Sequence, residues 1–175
     1  MATKLKIMKN ILLCIMFIAT LSFSSCIKSE KIIYTDSELE WDAATYNANA
    51  AGVTYPILTR VAGYGRAVVT SDPTITRTSG SIKFRVNLVG AQRSTPTTIT
   101  YVVLNSISTA VAGTHYNTSG SFIIPANSSF GEVQVDVINP GVTSGSKDLV
   151  LELVPTSDIK VSANDRDLGI RIAQN

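Results

Sequence analysis

Ile82-Lys83-Phe84-Arg85-Val86-Asn87-Leu88 alternates apolar and polar side chains without a break. A period of two sends successive side chains to opposite faces of an extended chain, so Ile82, Phe84, Val86 and Leu88 face a core while Lys83, Arg85 and Asn87 face solvent. Glu132-Val133-Gln134-Val135-Asp136-Val137 repeats the pattern, and so does Leu168-Gly169-Ile170-Arg171-Ile172. Residues 149–154 are almost wholly apolar around Glu152, and residues 97–104 and 121–124 carry the β-branched and aromatic side chains that favour strands. Gly90, Asn105, Gly113, Gly120, Asn127, Asn139-Pro140-Gly141 and Gly145 punctuate these runs at roughly strand spacing. Six strands within about 90 residues, with no amphipathic helical period between them, predict an all-β chain folded as a single antiparallel β-sandwich.

Upstream of that stretch the pattern is weaker. Leu39 and Trp41 alternate with Glu38, Glu40 and Asp42, which predicts an early strand, and residues 54–61 and 66–70 are further strand candidates. The Ala- and Asn-containing residues 43–52 suit a short helix or a loop equally well. Residues 38–175 have the length of one domain, and no Pro/Ser-rich linker divides them.

The first 25 residues read differently. Lys4, Lys6 and Lys9 precede an apolar run from Ile11 through Phe23, which Ser24 and Ser25 separate from Cys26. That is the layout of a secretory signal, and the 13-residue length of its apolar run falls short of the roughly 20 residues that a membrane-spanning helix needs. Leu21-Ser22-Phe23-Ser24-Ser25-Cys26 resembles a bacterial lipobox, with Phe23 standing where an aliphatic residue is usual. The resemblance implies cleavage before Cys26 and acylation of its thiol. Cys14 leaves with the peptide, so Cys26 has no partner for an intramolecular disulfide. Attachment to a bilayer through two or more acyl chains is stable where one chain is not. Residues 26–37 then form a tether, whose flexible part of about ten residues reaches only about 20 Å. Ile27, rather than Asp, follows the cysteine, which by the general logic of lipoprotein sorting implies the outer membrane. The cell surface and the periplasmic face both remain open.

Loss of residues 1–25 removes three of the 15 basic residues and none of the 13 acidic ones, so the formal net charge moves from +2 to −1. Such a balance offers no basic surface for nucleic acid.

Ala112-Gly113-Thr114-His115-Tyr116, followed by Ser119-Gly120-Ser121-Phe122-Ile123-Ile124-Pro125-Ala126, resembles a Calx-beta repeat. Residues 128–138 then supply its alternating strand and Leu149-Val150-Leu151-Glu152-Leu153 its Leu-rich one. The likeness covers roughly residues 80–175 and implies an immunoglobulin-like (Calx-beta-like) sandwich. With the lipobox, the chain is similar to small Bacteroidetes lipoproteins of this fold, often found beside SusC/SusD-type uptake systems. Calcium binding does not carry over. His115 stands where the calcium-binding members have Asp, and Asn139-Pro140-Gly141-Val142-Thr143-Ser144-Gly145-Ser146-Lys147 lacks the carboxylates that this ion requires.

Motifs for chemistry are sparse. His115 is the single histidine and sits in no nucleophile motif, so its expected role is that of a turn residue whose imidazole bonds nearby backbone. One His and an acylated Cys do not furnish a zinc site. Glu38 and Glu40 would project from one strand face about 7 Å apart, but a solvated face lacks the burial that a general acid needs. Asn164-Asp165-Arg166-Asp167 reads as a charged loop, and Gly63-Tyr64-Gly65 as a turn without the third glycine of a dinucleotide motif. No catalytic residue, cofactor or metal is expected. Tyr34, Trp41, Tyr46, Tyr55 and Tyr64 crowd into 31 residues, and aromatic side chains anchor interfaces and stack on sugar rings. Trp41 shares the apolar parity of Leu39, which favours core packing for it. If a ligand or partner site exists, Trp41, Tyr64 and Arg66 are its candidates. The expected role is a non-enzymatic accessory module at the outer membrane, contacting an uptake complex, a glycan or a peptide. A structural or adhesive surface protein, docking through exposed strand edges, is the alternative.

Overall fold

The computed structural model describes residues 36–175. The signal segment, Cys26, Tyr34 and the tether as far as residue 35 lie outside the described residues.

In chain order the elements are β1 (Glu38–Trp41), a helix α1 (Asp42–Tyr46), β2 (Ile57–Leu58), β3 (Ser81–Val89), β4 (Thr97–Val103), β5 (Tyr116–Thr118), β6 (Ser121–Ile124), β7 (Phe130–Val137), β8 (Ser146–Leu153), β9 (Lys160–Val161) and β10 (Asp167–Ala173). They form two five-stranded sheets, β5-β7-β3-β1-β9 and β2-β10-β8-β4-β6. The chain is an all-β sandwich. Every strand read from the second half of the sequence is present, and the alternation in β3 buries Ile82, Phe84, Val86 and Leu88 as its period requires. The long pairings are antiparallel, but the two-residue strands β9 and β2 join β1 and β10 in parallel at the sheet margins.

Two upstream readings change. Residues 66–70 are not a strand. Arg66 pairs with the Asp72 carboxylate and the Val69 N–H donates to it at 2.9 Å, so local side-chain bonds fold this segment into turns instead of a ladder. The stretch 54–61 contracts to β2, with Arg60 forming an isolated bridge to Thr74. In residues 43–52 both options are realised: α1 ends where the Asn47 side-chain amide donates to the Ala43 carbonyl at 2.8 Å, and a loop follows.

The core lies between the sheets. Leu39 and Trp41 from β1 and the even-numbered side chains of β3 meet Ile99, Tyr101, Leu149, Leu151, Leu153, Leu168, Ile170 and Ile172 from the other sheet. Trp41 packs edge-on against Tyr101 with ring centroids 6.5 Å apart, and Tyr101 in turn contacts Phe122 at 6.3 Å. On one side β6 closes onto β7, where a Cβ on Gly131 would lie 2.7 Å from both the Ile123 carbonyl oxygen and the Phe122 ring. Only a glycine allows that approach.

Candidate functional site

The site is built on the outer face of the first sheet. Here β3 presents Lys83, Arg85 and Asn87, β7 presents Phe130 and Glu132, and the loop around Gly63-Tyr64-Gly65 folds over them. The loop is anchored twice. The Gly65 N–H donates to the buried Asp42 carboxylate at 2.8 Å, and the Tyr64 hydroxyl donates to Glu132 at 2.6 Å. Tyr64 therefore reaches over β3 to β7. Lys83 Nζ also contacts Glu132 at 3.0 Å, and the Arg85 guanidinium lies 4.2 Å from the centroid of Phe130 and 5.9 Å from that of Tyr64. Asn87 joins the two halves: it accepts from Arg85 Nε at 2.7 Å and donates to Glu40 and Asp42 at 3.2 and 3.1 Å.

The electrostatics follow from these bonds. The Tyr64 phenol is pushed up to about 12, first by burial and then by the Glu132 carboxylate that accepts its proton in a hydrogen bond. Glu132 is held below the ordinary carboxylate range by the bonds from Tyr64 and Lys83. That is the opposite of the raised carboxyl a general acid needs, so the cluster is suited to holding shape rather than to passing protons at neutral pH.

Beside this cluster a groove of about 730 Å³ opens between β3 and the loop. Ser81, Ile82 and Lys83 form one wall, and Val61, Ala62 and Pro73 stand opposite, with Tyr64 at the rim. The volume is within the ordinary range for ligand clefts, roughly 300–1,000 Å³.

Of the three candidates read from sequence, the structure brings Tyr64 and Arg66 into one loop and removes Trp41. Trp41 has no exposed surface and its indole N–H donates to the Arg166 carbonyl at 2.9 Å, so it is a core residue and not a contact for any ligand. Its parity with Leu39 was the signal. Arg66 packs its guanidinium over Gly63, where a Cβ would come within 2.5 Å, and both its terminal nitrogens bond Asp72. It braces the loop. Asp72 is lowered to about 2, chiefly by that guanidinium and next by the Val69 N–H. Tyr46 is exposed, whereas Tyr55 is buried, and burial followed by the nearby Asp167 and Asp148 charges raises its phenol. His115 accepts the Val111 N–H on Nδ1 at 3.0 Å. Glu40 holds Asn87, accepting from its side-chain amide at 3.2 Å.

The residues missed in the sequence are Lys83, Glu132, Asp42 and Asn87. The outward parity of Lys83, Asn87 and Glu132 was legible in β3 and β7, whereas Asp42 is buried in α1, and the convergence on Tyr64 depends on a contact between residues 68 positions apart in sequence.

No protein-family model matches the chain, and no curated protein matches it significantly. Among solved structures the chain is similar to the apo-form Calx CBD1 domain, at 19% identity and TM-score 0.46 over 56% of this chain and 87% of that one. It is similar to the Calx CBD2 domain at 13% identity and TM-score 0.48, over 58% and 80% of the respective chains. CBD12 from CALX1.2 aligns at 20% identity and TM-score 0.47 over 57% of this chain. The chain spans 39% of the length of that protein.

Proposed function

We propose that this chain is a non-enzymatic binding or interaction module, held at the outer membrane by acylated Cys26 and serving a SusC/SusD-type nutrient-uptake assembly. The observation that carries the binding role is the groove beside β3, bounded by Tyr64 and by ions that are already paired. A cleft with a shaped wall beside a Glu132 carboxyl held below its ordinary range supports recognition over turnover. The location is supported by the basic, apolar and small-residue succession before Cys26. A structural or adhesive role through the terminal strands finds less support, because β5, β9, β2 and β6 at the sheet margins are only three, two, two and four residues long. Short edges discourage docking between copies.

The test is affinity purification from native outer membranes in mild detergent, with Cys26→Ser as control. Stoichiometric recovery of a SusC/SusD-type transporter with wild type, lost in the variant, is the expected result. Recovery of the protein alone would refute the accessory role.

A further inference from the structure

The groove has a property that its volume does not convey: one of its walls is a strand edge. Antiparallel pairing makes alternate residues of β3 turn their backbone N–H and C=O to opposite sides. Leu88 N–H donates to Ser129 and the Gly80 carbonyl accepts from Val137, so the even-numbered residues of β3 face β7. The odd-numbered ones face β1, because the Lys160 N–H on Ser37 and the Ser162 N–H on Leu39 turn the odd-numbered residues of β1 to β9 and leave Glu38 and Glu40, opposite Val89 and Asn87, to face β3. But β1 reaches only as far as Trp41, opposite Val86, and then the chain turns into α1. Beyond that point β3 runs on to Ser81 with β7 on one side and the groove on the other. Among the described residues, no backbone group bonds the N–H or C=O of Ser81 or Lys83 on the groove side.

We propose that this vacated strand position binds an extended peptide of a partner protein by strand addition, antiparallel to β3. The proposal rests on the binding-module reading and names its ligand class. A row of alternating backbone donors and acceptors is matched by another extended backbone and by little else. The groove also dictates side chains. The peptide residue opposite Ile82 points inward between Val61, Ala62 and Pro73, which selects a small or medium apolar side chain. Its neighbours, opposite Ser81 and Lys83, point outward to Tyr64 and the Lys83–Glu132 pair. Ser81 is likewise engaged, its hydroxyl donating to Asp136 at 2.5 Å. With these charges already matched, the complementary segment is uncharged: polar, apolar, polar. About four residues, or ~13 Å of strand, span the open edge.

Lys83 offers an unusually clean test, because its N–H is not part of the β3–β7 ladder. Lys83→Pro deletes the donor on the groove side, and Lys83→Ala keeps it while removing the ammonium. The full chain is panned against a display library of random nine-residue peptides, and selected peptides are titrated against wild type and both variants. Expected are sequences with the polar-apolar-polar alternation, whose affinity falls about tenfold or more in Lys83→Pro and stays within about threefold in Lys83→Ala. Should Lys83→Pro not fold, amide exchange on wild type gives the same answer: selected peptide slows the Ser81 and Lys83 amides and leaves those of Ile82 and Phe84 unchanged. Equal binding by Lys83→Pro and wild type, or no change at those two amides, would overturn the strand-edge site. An empty library while a transporter still co-purifies would also overturn it, yet leave the binding module standing. Peptide binding without any co-purified transporter would retain the edge and refute the uptake role.

Discussion

Replacing Trp41 by Ala should cost stability and leave binding at the groove intact. The side chain is wholly buried, packs edge-on against Tyr101 across the sandwich and donates its indole N–H to Arg166. Truncating a buried Trp costs about 3–5 kcal/mol through lost burial and the cavity left behind. Within that, the aromatic pair is worth about 0.5–1.5 kcal/mol and the indole hydrogen bond about 0.5–1.5 kcal/mol, since the Arg166 carbonyl still accepts the Leu153 N–H at 3.0 Å. For a domain whose total stability is about 5–15 kcal/mol, this is a large fraction. With a urea dependence of about 2 kcal/mol per M, the midpoint should fall by roughly 2 M. Trp41→Phe keeps a ring in the core but drops the donor, so its loss should be the smaller of the two. Trp41 is the single tryptophan, so unfolding is followed by circular dichroism, which reports equally on wild type and variants. A shift under about 0.5 M, or peptide binding abolished in a variant that stays folded, would refute the placement of Trp41 in the core.

Asp72 is held to about 2 by Arg66 and the Val69 N–H, below its unfolded value of about 3.9. A depressed carboxylate contributes stability above its unfolded pKa and loses it as pH falls through the folded one. Urea midpoints of wild type should therefore drop between about pH 4 and pH 2 more steeply than those of Asp72→Asn. Tyr64→Phe removes the strongest bond on Glu132, so the Glu132 carboxyl should titrate at higher pH by carboxyl NMR, with little change in melting temperature. Gly131→Ala places a Cβ 2.7 Å from the Ile123 carbonyl oxygen, and a forced shift of β6 should cost about 1–3 kcal/mol in urea unfolding.

What the sequence disclosed depended on how far each interaction reaches. Alternation in β3, β7 and β10 is a local signal, and it named the core face of each strand correctly, from Ile82 to Ile172. Of the strands read at 54–61 and 66–70, the first contracts to β2 and the second is absent. The conformation there is set by the Arg66–Asp72 pair, the Gly63 approach to Arg66 and the Asp42 carboxylate on the Gly65 N–H. Side chains fixing backbone in this way leave no period to read. Tyr64 was legible as an exposed turn aromatic, but its partner Glu132 belongs to a strand far along the chain. The open edge of β3 was the least legible feature. It exists because β1 stops at Trp41 while β3 continues to Ser81, and strand length relative to a neighbour appears only once the register is known.

The vacant strand position beside β3 is therefore the claim on which the account turns, and amide hydrogen exchange of the full chain without ligand tests it most directly. The ladder amides of Ile82, Phe84 and Val86 should exchange slowly, while those of Ser81 and Lys83, interleaved with them on one strand, should exchange at the rate of exposed loops. Protection of Lys83 equal to that of Phe84 would contradict the account, because the edge would then already be filled.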